Sequence, residues 1–111
     1  IDLTTELMFP KWQLKEGEEE FTVMRIIIDG RDKGEKYRYQ YDLFDRYDRE
    51  TGITSMARTT GYTCTAVANL MMEGMYDSPG INPPEYLGKT EGHMKFIMGY
   101  LKERGVVYKS L

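Results

Sequence analysis

Cysteine is nearly missing from this chain: 111 residues hold only Cys64, so a disulfide framework and a cysteine-based metal site are both excluded. Histidine is as scarce. His93 stands alone beside Glu91, with no second histidine or cysteine at ligand spacing, and no metal is expected. A Cys64–His93 nucleophile pair is disfavoured because Cys64 falls among the apolar positions of a helix, where it reads as core. No G-x-G-x-x-G follows any strand, so a dinucleotide has no phosphate loop here. No apolar run approaches the roughly 20 residues of a membrane span, and no signal pattern opens the chain. Charge of one sign is also lacking. Fifteen basic against 18 acidic residues give a net charge of −3 without a basic face, which argues against nucleic acid or a membrane surface as partner. The reducing conditions that suit a lone thiol point to the cytoplasm.

What is present reads as one domain over residues 1–111, a length that supports a single core. Leu3 and Leu7 behind Asp2 suggest a short helical turn stopped at Phe9-Pro10, and Trp12 and Leu14 a brief extended piece. Glu16-Gly17-Glu18-Glu19-Glu20 reads as a solvated turn. Phe21 to Ile28 is apolar on both alternating faces, which predicts a strand covered on both sides. After the Asp29 to Gly34 loop, Tyr37, Tyr39, Tyr41 and Leu43 alternate with charged residues, the pattern of a second hairpin strand buried on one face. Such a tyrosine stripe is a packed face rather than a platform for bases. Asp42, Asp45, Asp48 and Glu50 gather near a turn and read as solvated carboxylates.

Ile53 to Ala57 is expected as a third strand, making an antiparallel meander, and Thr60 to Tyr76 as a helix with Cys64, Val67, Ala68, Met71 and Met75 inward. A stiff connection through Pro83 and Pro84 precedes a second helix, Glu91 to Arg104, with Met94, Ile97, Met98 and Leu101 inward and Gly105 as its stop. Val106 to Tyr108 reads as a terminal strand. The fold class is therefore α+β: an antiparallel sheet of three or more strands covered by two helices.

The junction between sheet and helix is where chemistry is sought. Arg58 offers a forked cation, and Thr59 and Thr60 offer either cap oxygens or the start of an anion-binding helix end; the alternative is a capped helix beside a solvated arginine.

Ser55-Met56-Ala57-Arg58-Thr59-Thr60-Gly61, followed by Gly74 and then Gly80-Ile81-Asn82-Pro83-Pro84-Glu85, resembles the saccharopine dehydrogenase family, as does the acidic turn leading into an apolar strand and hairpin. The likeness runs over roughly residues 3 to 109 and concerns the carboxy-terminal part of those enzymes. It implies an NADP-linked oxidoreductase acting on the C–N bond of an amino acid in lysine metabolism, of which this chain is a fragment lacking the Rossmann domain. NADP is then held by a domain absent here, the fragment alone is inactive, and a homodimer and a small amino-acid substrate are the expected partners. Arg58, Thr59 and Thr60 become the candidate substrate-binding residues, with the catalytic residues unassigned. The related carboxynorspermidine synthase shares the overall build, so a polyamine substrate is the alternative. A stand-alone dimerisation or small-ligand-binding module is the rival from another class.

Overall fold

The computed structural model describes residues 2 to 110. Its elements are α1 (Asp2–Trp12), β1 (Phe21–Asp32), β2 (Glu35–Arg46), α2 (Ser55–Met72), a 3₁₀ turn (Pro84–Lys89), α3 (Glu91–Glu103) and β3 (Tyr108–Ser110). The sheet is antiparallel in the order β1-β2-β3, with α2 and α3 packed together on one side of it. This is the α+β arrangement the sequence predicts, except that the strand expected at residues 53 to 57 is missing and the terminal strand expected at Val106 to Tyr108 lies at Tyr108–Ser110.

The departure is at residues 53 to 57. Ile53 makes only an isolated bridge to Asp48, and the chain enters α2 at Ser55, because the Thr54 hydroxyl caps the helix by accepting from the Ala57 N–H at 3.2 Å. The third strand is β3 instead, where Tyr108 opposes Leu43 and Ser110 opposes Tyr41. The earlier start of α2 also shifts its inward face. Ser55, Arg58, Ala66 and Leu70 are buried, whereas Cys64, Met71 and Met75 are exposed. Helical spacing from Ser55 through Tyr62 to Ala66 and Leu70 generates that face, and its first two turns are polar, so an apolar stripe does not reveal it.

Leu43, Ala66, Leu70, Leu87, Ile97, Leu101 and Val106 form the core. Along α3 the inward residues are His93, Ile97 and Leu101, while Met94 is exposed and Met98 packs at the margin. Gly105 ends α3 at φ 78°, and the Val106 N–H returns to the Leu101 carbonyl at 3.0 Å, a left-handed stop that turns Val106 into the core.

The hairpin is longer than its apolar run. It turns at Lys33 and Gly34, both with positive φ, and β1 extends to Asp32. Register pairs Met24 with Leu43, Ile26 with Tyr41 and Ile28 with Tyr39 on one face; the other carries Val23 opposite Phe44 and the ion pairs Arg25–Asp42 and Asp29–Arg38. The helices cover only the end near Leu43. β1 is therefore not the covered strand that its composition suggests: Val23 is 68 % and Ile28 51 % exposed. It lies at the edge of the sheet. α1 likewise buries no residue, with Trp12 72 % exposed, and it runs past Pro10 because only the Glu6 carbonyl loses its helical partner there. No helix among the described residues is long and apolar enough to cross a membrane.

Core packing sets the first expectation. Leu70 is fully enclosed, so Leu70→Ala is expected to cost about 2 to 5 kcal/mol, whereas the neighbouring, outward Met72→Ala should stay within about 0.5 kcal/mol. Urea unfolding followed by circular dichroism separates the two, and equal losses would contradict this placement of the α2 face.

Candidate functional site

The first turns of α2 face the end of β2 with polar side chains, and they meet there in one cluster. Arg58 on α2 reaches Asp45 on β2 through Nε at 3.2 Å and Nη2 at 3.3 Å, and Asp48 in the following turn through Nη1 at 3.0 Å. Its Nη2 also donates to the Arg104 carbonyl at the end of α3 at 2.9 Å. The Arg58 and Asp45 side chains are only 10 % and 4 % exposed. Burial works to lower the guanidinium pKa, but the Asp45 hydrogen bonds and charge, with Asp48 and the Tyr62 ring behind, outweigh it and the net direction is upward. Arg58 thus remains charged with all three nitrogens engaged.

Asp45 was legible as more than a solvated turn residue. It continues the period-two face of Tyr41 and Leu43, which places it inward, and a buried carboxylate demands a cation. The acidic run is tied in as well. Glu19 forms a two-pronged pair with Arg49 at 2.8 and 3.1 Å, and the Glu20 carboxylate accepts from the Met56 N–H at 3.3 Å. Ser55 donates to the Thr22 hydroxyl at 2.8 Å, which docks the helix start on β1.

These contacts decide what the helix start does. Its Met56 and Ala57 N–H groups are taken by Glu20 and Thr54, and a carboxylate already stands where an anion would approach. The pyrophosphate of a dinucleotide therefore does not fit this end of α2. Thr59 lies in the second turn, donating to the Ser55 carbonyl at 2.9 Å, and the exposed Thr60 follows it; neither caps the helix. Arg58 belongs to the cluster, and the structure does not bring Thr59 or Thr60 into its hydrogen bonds.

Above the cluster a cleft of about 620 Å³ opens between the acidic turn and the end of β2, lined by Glu19, Arg46, Asp48, Arg49, Arg58 and Gly105 among others. Arg46 has no ion-pair partner among the described residues, in contrast to Arg49 and Arg58. It is the lining arginine without a carboxylate partner among the described residues, and no local motif singles it out in the sequence. Gly105 is the opposite wall: a Cβ there would stand 3.2 Å from Arg58 Nη2.

His93 is buried away from the cleft. Its Nε2 lies 2.9 Å from the Met75 carbonyl, which requires that nitrogen to carry the proton, while Nδ1 has no partner among the described residues. With the edge-on contact to Tyr76, it fastens α3 to the segment after α2. No group of three or more metal-ligating side chains occurs among the described residues.

A small α+β unit whose helix start is locked to a hairpin by a buried ion pair is the class these features define. The family model for the saccharopine dehydrogenase C-terminal domain matches residues 1–106, and the chain belongs to that family. No solved structure matches the chain.

Removing one partner of a buried pair strands the other charge. Asp45→Ala is therefore expected to cost about 3 to 5 kcal/mol, far more than the same change at the solvent-screened Asp29, read by urea unfolding. Gly105→Ala, strained at its positive φ and crowding Arg58, should lose more than about 1 kcal/mol. Comparable losses for Asp45→Ala and Asp29→Ala would contradict the importance of the cluster.

The pH dependence follows from Asp48. Hydrogen bonds from the Glu50 and Thr51 N–H groups and the charge of Arg58 hold its carboxyl below the usual range. A carboxyl with a depressed folded pKa binds protons more readily when unfolded, so its stabilisation is full above the unfolded pKa of about 4 and is lost as pH falls through the folded value. Asp48→Asn should flatten the acid limb of the stability curve. An unchanged slope below about pH 4 would remove Asp48 from that role.

Proposed function

We propose that this chain forms the substrate-side and subunit-contact part of an NADP-linked oxidoreductase acting at the C–N bond of an amino acid bearing several carboxylates, of the saccharopine type in lysine metabolism. Family membership supports the reaction class, and the cleft supports the substrate side. The observation that carries the reading is the arrangement of the three arginines. Arg58 and Arg49 are committed to Asp45, Asp48 and Glu19, whereas Arg46, which also lines the cleft, has no ion-pair partner among the described residues. An unpaired guanidinium at the cleft can take a carboxylate through two parallel N–H bonds, which fixes orientation as well as charge. Arg58 is then a positioning residue, with Thr59 and Thr60 on the adjoining helix surface. The catalytic groups and NADP belong to the rest of the enzyme, since the start of α2 does not accommodate the nucleotide, and the chain by itself is inactive. The enzyme works in the cytoplasm as a homodimer, and no nucleic acid or membrane partner is assigned.

A carboxynorspermidine-type substrate would use the same carboxylate contact and is the alternative within this reading. The uncovered hairpin favours a second reading, a dimerisation or ligand-binding module that acts without an attached nucleotide domain.

The test is made in the whole enzyme. Arg46→Gln is expected to raise KM for the carboxylate substrate about 10- to 100-fold, the loss of a charged hydrogen bond, with kcat little altered and folding intact. Unchanged KM would overturn the substrate-side assignment. Calorimetric titration of the isolated chain with NADPH should give no binding heat, and micromolar affinity would place the nucleotide here after all.

A further inference from the structure

β1 offers an open edge along its whole length, and the geometry points to a second copy of this chain as its occupant. We infer that two chains pair β1 against β1 in antiparallel register about a two-fold axis at Ile27, giving one continuous six-stranded sheet. This deepens the assembly half of the reading above and is independent of its chemistry.

Backbone direction supplies the first argument. The Tyr47 N–H donates to the Glu20 carbonyl at 2.8 Å, which continues the Phe21–Arg46 register by one step as a hydrogen-bonded pair. In an antiparallel ladder such pairs alternate with unbonded ones. Even-numbered residues of β1 therefore aim their N–H and C=O groups at β2. Odd-numbered residues, including Arg25, Ile27 and Asp29, aim theirs at the open edge. Only a register that sets odd residues against odd residues satisfies them in a partner strand.

Charge selects among those registers. Centring the axis on Ile27 sets Arg25 opposite the partner copy's Asp29, and symmetry repeats the match. Within each hairpin Arg25 already pairs with Asp42 and Asp29 with Arg38, so charge alternates across four strands in the order Asp42, Arg25, Asp29, Arg38, the last two on the partner copy. Moving the axis by one residue sets Arg25 against either Ile27 or Arg31, which forfeits the match. On the other face the same register lays Ile26 beside the partner copy's Ile28 and Met24 beside its Gly30, extending the apolar surface of Ile26, Ile28 and Tyr39 that the helices leave uncovered.

The opposite edge does not compete. β2 is closed by β3 at Tyr41 to Leu43, so its free length is interrupted, whereas β1 is open from Phe21 to Asp32.

The experiment uses the chain in solution. Sedimentation should give a dimer, and Ile27→Pro should convert it to monomer with unchanged far-ultraviolet circular dichroism, because that proline removes only an outward-facing N–H. Register is read in a Cys64→Ser background. Ile27→Cys chains should cross-link to each other with a short bis-thiol reagent. Arg31→Cys chains should not, since their thiols would lie about 27 Å apart at the strand rise, but they should cross-link to Val23→Cys chains. If Ile27→Pro fails to fold, the cross-links decide. A dimer that survives Ile27→Pro, or cross-links that ignore register, overturns β1 pairing while leaving the homodimer reading in place. A strict monomer at high concentration likewise overturns β1 pairing.

Discussion

The buried contact between Arg58 and Asp45 is the constraint on which the remaining geometry depends. It joins the end of β2 to the start of α2 and, through the Arg104 carbonyl, to the end of α3, so three elements that share little apolar contact at this end are fixed by one guanidinium. Such a contact resists replacement by halves. Either partner alone is a charge in a site that water barely reaches, and the neighbouring carboxylate of Asp48 and the ring of Tyr62 are placed for a cation. Specificity follows from the same demand. A helix that slid by one residue would keep much of its apolar burial but lose every bond of this cluster.

The molecule divides its burial unevenly. Around Leu43, Leu70, Leu101 and Val106 it has a closed apolar centre, and at the other end of the hairpin it has apolar side chains with nothing upon them. The exposed Ile26, Ile28 and Tyr39 form an apolar surface that the helices leave uncovered, and it is this surface that the proposed pairing of two chains would extend. The cleft opens at the end of the hairpin that the helices cover and the exposed apolar residues lie at the other, so the two proposed tasks would fall on opposite ends of one pair of strands.

Much of this was legible in the residues. The hairpin, the α3 helix, its glycine stop and the family membership all follow from local signals: alternation, helical spacing of Ile97 and Leu101, a left-handed glycine and a motif around Ser55 to Gly61. The start of α2 was not, because Thr54 and Thr60 are equally good caps on paper and the inward side chains of the first turns are serine and arginine, which an apolar count passes over. Cys64 and Met71 are exposed because the inward face runs through Ser55, Arg58, Ala66 and Leu70, which turns their apolar stripe outward. β1 misled for a different reason. Apolar residues on both faces signal cover on both sides, but they do not say whether the cover is supplied by the same chain. Arg46 and the arrangement around it lay beyond sequence altogether, since its distinction is the lack of a neighbour.

β3 pairs with Tyr41 to Leu43 from the far side of both helices in the chain. As a nascent polypeptide leaves the ribosome, β1 and β2 can therefore meet at once, yet the sheet stays two-stranded until α2 and α3 have been made, and Arg58 waits as long for the Arg104 carbonyl. Synthesis thus passes through an interval in which the hairpin has neither its third strand nor its full helical cover, and only the return of the chain to β2 ends it.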